Sequence, residues 1–323
     1  MKIDGTPTPA ARTPFIVGYG GSGIVESISA ANADDRSAQL LNKQVCFLAD
    51  PGKDGSYAQY IVVDRRLVAV IPEENVSLEE AACIPVAGVT ALECLEKVGL
   101  PPVQIHHETT TTTPSPSSPS GDKYRLLIVG GAGGVGSWTI QLARSTFGGS
   151  SDFEIVCTTG SQESSDWCIK MGADVTIAHD EIEKKLGTGP KGSCDAIICL
   201  TEPTTALFAS LAEVLRPYGK ICLVVAGGGI KSLDMSFVFF KCGTVCTETV
   251  FSSIRCGYQI DQESEMRRIL EALQRGKVTA PLADAWKKDD NKGDWRNALD
   301  GGGYIDMVGS GHVKGKLVMK IGE

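Results

Sequence analysis

The stretch with the clearest chemical potential is residues 125–144, RLLIVGGAGGVGSWTIQLAR. Gly131, Gly133 and Gly136 fall at GxGxxG spacing, and Ala132, Gly134 and Val135 fill the positions between them. Alone the pattern is weak, because glycine-rich turns are common. Here an apolar strand pattern precedes it and an amphipathic helix pattern follows. In that setting the first glycine permits a tight reversal and the second lets backbone approach a pyrophosphate. The third allows close helix–strand packing, while the helix N-terminus supplies amides and a positive dipole end. A purely structural turn is the competing reading, and the strand–glycine–helix order makes it the weaker one. The loop is read as the pyrophosphate cradle of a nicotinamide dinucleotide.

The next strand pattern ends in CTTGSQ, residues 157–162, about 20 residues beyond the loop. An Asp or Glu at this point would take the ribose 2′-hydroxyl of NAD, and none stands there. Thr158, Thr159, Gly160 and Ser161 are small and neutral and leave room for a 2′-phosphate. Thr159 and Ser161 are therefore cofactor candidates, and the balance favours NADP(H). No Arg or Lys stands beside Ser161 to pair with the phosphate.

These residues need a scaffold. After Asp122 the pattern alternates apolar strands (125–129, 154–158, 174–178, 195–200, 220–225 and 245–251) with helices at 134–147, 162–171 and 203–215. In the last helix Leu207, Leu211 and Leu215 share a face. Short apolar strands separated by amphipathic helices imply a parallel sheet covered on both sides. A helix over 263–275 follows, with Met266, Ile269, Leu270 and Leu273 as its buried stripe and Gly276 as its stop. Residues 315–321 read as a final strand. Before this region, 15–72 reads as an all-β module with strands at 23–28, 56–64 and 67–71. Ser77 and Glu80 form a capping box that opens a helix, and a second helix covers 89–97. Residues 1–14 read as a loose tail, and the Thr/Ser/Pro-rich stretch 106–121 as a disordered surface insertion.

Composition narrows the classes. The 323 residues suggest two domains, and 42% hydrophobic with 22% charged residues suits a chain with a sizeable core. A net charge of −8 gives no basic footprint for nucleic acid or an anionic membrane. No apolar run is long enough for a bilayer span, and the polar start does not resemble a secretory signal. Eleven cysteines, scattered singly, read as buried reduced thiols, so a cytoplasmic location is expected. Cys242 and Cys246 lack CxxC spacing, and His106, His107, His179 and His312 form no HxxxH or HExxH pattern, so no metal site is expected.

With these motifs in order, the chain resembles the medium-chain dehydrogenase/reductase superfamily, particularly its zinc-free quinone oxidoreductase-like branch. Residues 18–26 (GYGGSGIVE) resemble the family's GxExxGxV strand, and residues 55–63 (GSYAQYIVV) its GxxAEYxxV strand. Residues 80–95 resemble the EAAxxPxxxxTAxxxL segment, 131–136 the cofactor loop, 171–174 (MGAD) the LGAD turn, and 315–318 (GKLV) the terminal GKxV strand. The resemblance implies an α/β chain: a doubly wound Rossmann domain, residues 93–275 with the insertion at 106–121, set within a GroES-like β domain, residues 1–92 and 276–323. It implies hydride transfer in the cleft between the two. Carried over residue by residue, Thr90 would approach the nicotinamide. Leu200, Thr201, Val225 and Ala226, at later strand ends, would line the ribose and nicotinamide.

Departures from the family pattern carry information too. Tyr19 and Gly20 stand where zinc-bearing members have the His and Glu of a GHE turn, and residues 85–87 replace the cysteine before the TA pair. A zinc-assisted alcohol dehydrogenase is therefore not expected. The chain starts just before residues 14–16, so the β domain is expected to be incomplete at its N-terminus. The leading expectation is an NADPH-dependent reductase of quinones or α,β-unsaturated carbonyls, with another carbonyl as a narrower variant. The alternative is a catalytically impaired NADP(H)-binding sensor or scaffold. No catalytic residue is assigned: Tyr19 could donate a proton, but a packed strand tyrosine is the stronger reading. A small-molecule partner is expected, together with homodimer formation through the open edge of residues 245–251.

Overall fold

The computed structural model describes residues 15–29, 38–100, 118, 121–148, 151–258, 261–286, 295–299 and 303–322. The expected tail at 1–14, His106, His107 and all of the 106–121 insertion except Ser118 and Gly121 lie outside the described residues. The described residues form two compact units, one of residues 90–249 and the other of residues 15–89 with 250–322.

The second unit opens with an antiparallel sheet of β1 (Gly20–Ile24), β2 (Gln44–Leu48) and β3 (Val68–Val70), in that order. Pairing runs from Gly20↔Leu48 to Ile24↔Gln44, so the first strand lies three residues before the expected 23–28. Strand β2 was not expected; its run Val45–Leu48 is buried throughout. The expected strand 56–64 does not form. Its alternation is real: Ile61 and Val63 pack against Val45, Phe47 and Val68. Tyr60 and Val62 face outward at 72% and 92% exposure. Pairing reaches only as far as Tyr57, whose N–H donates to Val17 O at 2.9 Å, and an alternating pattern without a partner ladder is not a strand. Helix α1 (Leu78–Ala82) begins at the predicted box: Ser77 Oγ accepts from Glu80 N at 3.2 Å, and Ser77 N donates to the Glu80 carboxylate at 2.9 Å.

Helix α2 (Ala87–Lys97) leads into the first unit. Its sheet contains β4 (Tyr124–Val129), β5 (Phe153–Thr159), β6 (Val175–Ala178), β7 (Cys194–Cys199), β8 (Leu215–Leu223) and β9 (Thr244–Thr247). Every pair is parallel and the order is β6-β5-β4-β7-β8-β9. Read from the first strand, that is 3-2-1-4-5-6, the doubly wound Rossmann order. Helices α3 (Gly134–Phe147), α4 (Gln162–Met171), α5 (Ile182–Leu186), α6 (Thr205–Val214) and α7 (Ser236–Phe240) make the crossovers. Leu126 and Leu127 point to opposite faces, yet both are fully buried, which is why the strands read as continuous apolar runs. One face packs Leu127, Ile197 and Ile221 against Phe208 and Leu211 of α6.

Two details differ from the expected strands. Strand β8 starts five residues early, because the chain leaving α6 pairs at once with Cys194 before an irregularity at Tyr218, whose φ is +63°. Strand β9 stops at Thr247 instead of residue 251, because its pairing ends where its neighbour ends, at Leu223. It is the edge strand of the sheet, as expected.

The chain then returns to the second unit through α8 (Ser252–Cys256), α9 (Gln262–Gln274), β10 (Leu282–Trp286), α10 (Tyr304–Gly309) and β11 (Lys316–Met319). Helix α9 buries Met266, Ile269, Leu270 and Leu273, the predicted stripe. Its packing surface, however, is β2 and β3. Cys46 Sγ meets Met266 Sδ at 3.9 Å. Residues 262–274 thus group with the β unit, and the two compact units divide at Thr90 and Thr249. The reason is physical: the helix follows its apolar stripe, and sequence spacing does not say which sheet that stripe meets. No helix among the described residues is long and apolar enough to cross a membrane.

Candidate functional site

The site grows from the carboxyl ends of the parallel strands in the first unit. Strand β4 delivers the chain into Gly130, held at φ +84°, a left-handed value that favours glycine. Gly130 N donates to Thr158 Oγ1 at 3.1 Å, and Gly131 N to Thr158 O at 3.3 Å, so the end of β5 clamps the turn. Thr158 therefore works as an anchor of the loop.

The three motif glycines have three different reasons. A Cβ on Gly131 would lie 2.8 Å from Cys157 Cβ and 2.9 Å from its Sγ, with Cys168 Sγ at 3.1 Å; the loop rests on a floor of two buried thiols. A Cβ on Gly136 would stand 2.4 Å from Gly131 O and 2.7 Å from Gly131 Cα, so the helix could not seat against the turn. Gly133 is different. Its φ is −70°, and the nearest atom to an added Cβ is Gly130 O at 3.9 Å. Among the described residues nothing requires glycine at this position. The open side of Gly133 is where a pyrophosphate would need backbone to come close, so the residues present fit the cofactor.

Helix α3 begins at Gly134 with Gly133 as its N-cap, and no side chain caps it. The amides of Gly134, Val135 and Gly136 occupy the first turn, where intrahelical acceptors are lacking and the dipole favours an anion. The helix is fixed from below. Ser137 Oγ donates to Gly133 O at 2.8 Å and accepts from Trp167 Nε1 of α4 at 2.9 Å. Arg144 bonds the Gly172 carbonyl at 3.1 Å and pairs with Asp174.

The sheet order places its switch point between β4 and β7, and Gly130 and Thr201 meet there: an added Cβ on Gly130 would be 3.1 Å from Thr201 Cγ2 and 3.8 Å from Leu200 Cβ. Val225 and Ala226 follow the end of β8, the first half-buried and the second exposed. Thr159 closes β5, and Ser161 Oγ caps α4 by accepting from Ser164 N at 3.2 Å. The structure thus gathers Gly131, Ala132, Gly133, Gly134, Val135 and Gly136 with Leu200 and Thr201 at one switch point. Thr159, Ser161, Val225 and Ala226 lie at neighbouring strand ends of the same sheet. Thr90 is carried instead by α2, with its side chain buried.

Sequence reasoning passed over two residues at these strand ends. His179 follows β6 and lies against Gly160. Glu202 follows Thr201, and its Oε1 accepts from Gly229 N at 3.4 Å. Both stand one position past residues that pattern analysis reached, so the signal was their place after an apolar strand.

In the second unit, the proton-donor candidate Tyr19 is 41% exposed, with its ring 5.3 Å from that of Phe251 and its carbonyl accepting from Ala49 N. Gly20 is hemmed in: a Cβ there would stand 3.0 Å from both Phe47 O and Pro85 Cβ. A glutamate at that position would need the neighbours to move. Among the described residues no three of His, Cys, Asp or Glu converge as a metal site would require.

Comparison with known proteins agrees with this geometry. Residues 134–274 match the zinc-binding dehydrogenase family. A zinc-type alcohol dehydrogenase-like protein of Staphylococcus aureus is 30% identical over 242 residues, covering 75% of this chain and 64% of that protein. The 2-methylene-furan-3-one reductase of Solanum lycopersicum is 33% identical over 289 residues, covering 78% of this chain and 66% of the reductase. The chain thus spans just under two thirds of the length of these curated relatives. Among solved structures, the quinone oxidoreductase from Coxiella burnetii superimposes with a TM-score of 0.69 at 20% identity, covering 96% of this chain and 80% of that one.

Proposed function

The chain belongs to the medium-chain dehydrogenase/reductase superfamily, in its quinone oxidoreductase-like branch, and from that premise we propose that it is an NADPH-dependent oxidoreductase that reduces quinones or α,β-unsaturated carbonyls without zinc. The observation that carries the proposal is Gly133, a glycine that no contact among the described residues demands, at the uncapped start of a 14-residue helix.

When bound, a nicotinamide dinucleotide supplies the hydride. The protein's share is binding and orientation. The first-turn amides of α3 hold the pyrophosphate, and the thiol floor of Cys157 and Cys168 sets the height of the loop. Leu200 and Thr201 limit the space beside Gly130, and Val225 and Ala226 border the next strand end. The small, acid-free turn Thr159–Ser161 supports NADP(H) over NAD(H). Independence of zinc is supported by Tyr19 and Gly20 at the positions where metal-bearing relatives would carry ligands, and by the close packing around Gly20.

The test is consumption of NADPH by the purified protein with a panel of quinones, enones and saturated alcohols, before and after dialysis against a chelator. Saturable turnover of quinones or enones that survives the chelator supports the proposal. Chelator-sensitive oxidation of alcohols refutes it. NADPH binding without turnover of any substrate refutes it in favour of the sensor or scaffold reading.

A further inference from the structure

We propose that Cys246 and Cys222 form a covalent modification site: a peroxide oxidises the half-buried Cys246 thiol, and Cys222 closes a disulfide that staples edge strand β9 to β8. All the groups involved lie within the first unit, and the cofactor takes no part in the reaction.

Cys222 and Cys246 are register partners on adjacent parallel strands. Such strands stand about 4.8 Å apart, inside the range of about 4.4–6.8 Å that a disulfide spans between Cα atoms. Ile221 and Leu223 pack on the side of α6, so Cys222 and its partner turn to the opposite face. There Cys222 Sγ donates to Cys94 Sγ of α2 at 3.9 Å. Cys246 Sγ lies within hydrogen-bonding reach of the Cys222 sulfur and also donates to Ile221 O at 3.5 Å. Three thiols thus meet on one face, and their exposure ranks them. Cys94 and Cys222 are fully buried, whereas Cys246 is half-buried on the last strand of the sheet. An oxidant from solvent meets Cys246 first, and Cys222 is placed to resolve the product. Cys157 and Cys168 also share a hydrogen bond, but both are fully buried and offer no such entry.

In the first step the Cys246 thiolate attacks a peroxide oxygen and the O–O bond breaks. The sulfur becomes a sulfenic acid, and the peroxide leaves as an alcohol, or as water from hydrogen peroxide. In the second step the Cys222 sulfur displaces the sulfenic hydroxyl, which leaves as water while the S–S bond forms. Two thiols give up two electrons and two protons, and one peroxide accepts them. The charges around Cys246 set the rate. Its hydrogen bond with Cys222 and its burial push the thiol up, and the ammonium groups of Lys97 and Lys220 act against them. Lys97 is itself paired with Glu248 of the same strand exit at 2.6 Å. The thiol form therefore prevails at neutral pH, and because only the thiolate reacts, the first step quickens about ten-fold per pH unit.

The experiment treats the full chain with hydrogen peroxide, for the parent, Cys246→Ser and Cys222→Ala, and maps unreduced peptides by mass spectrometry. The parent should yield a Cys222–Cys246 cross-link that a thiol reductant removes, and C246S should yield none. C222A should stop at the sulfenic acid on Cys246, captured by a dimedone tag. Cross-linking of the parent should run about ten-fold faster at about pH 8 than at about pH 7. Exposed Cys242 and Cys256 report that peroxide has acted. Their oxidation with Cys222 and Cys246 still present as free thiols overturns the proposal. A Cys94–Cys222 cross-link in place of the expected one overturns it as well. Should C222A fail to fold, the parent and C246S alone decide between these outcomes.

Discussion

Gly133→Asp separates the fold of the loop from its function. The substitution meets no steric objection, since φ is −70° and the nearest atom to the new Cβ lies 3.9 Å away. Asp is a favoured N-cap, and its charge suits the positive end of α3, so folding stability should stay the same or rise by about 0.5–1 kcal/mol. Binding responds in the opposite direction. A carboxylate roughly 5 Å from a pyrophosphate charge, at an effective dielectric near 20, opposes it by about 3 kcal/mol, which is more than a hundred-fold in Kd. The side chain also fills the space that backbone must leave open. The mirror case is Gly136→Ala. Its methyl would stand 2.4 Å from the backbone Gly131 O, which cannot swing aside as a flexible side chain could, and overpacking of that kind costs about 1–3 kcal/mol. Calorimetry and NADPH fluorescence titration on both variants give four numbers. The expected pattern is a Tm preserved or raised with binding lost for G133D, and a lowered Tm for G136A. A folded G133D variant that binds NADPH as tightly as the parent would refute the assignment of the pyrophosphate to this loop.

Two further predictions concern the scaffold. Arg216 Nη1 donates at 2.6 Å to Asp195 Oδ2 in the buried end of the sheet, and Ser118 Oγ bonds the same carboxylate at 2.7 Å. Arg216→Ala strands a buried negative charge and should cost about 3 kcal/mol by chemical denaturation; a loss under about 1 kcal/mol would show that Ser118 and the Arg125 amide satisfy Asp195 alone. Burial pushes the thiols of Cys46 and Cys83 up to about 12 and that of Cys194 up to about 11. Iodoacetamide on the native protein near pH 8 should therefore modify exposed Cys242 and Cys256 first, as read by peptide mass spectrometry. Modification of Cys194 at the rate of Cys242 would contradict the closed core.

What the sequence determined by itself is local and periodic. The alternation of apolar strands and amphipathic helices placed helices α3 and α4 to the residue, because each amphipathic stripe and each cap is written within a few positions. The Ser77–Glu80 box formed as read, for the same reason. Spacing also located the glycine turn at the head of α3, since strand, glycines and helix are contiguous. Tertiary structure decided what depends on partners distant in sequence. Residues 56–64 have a strand's alternation but no ladder beyond Tyr57, so they form no strand. Helix α9 has the predicted buried stripe but spends it on β2 and β3, because burial is indifferent to which sheet provides it. The three motif glycines look alike in sequence, and only the neighbours of each show that Gly131 and Gly136 serve the fold while Gly133 leaves space. His179 reaches Gly160 through the β5–β6 register, a relation between residues nineteen positions apart that the pleat and pairing of the sheet create.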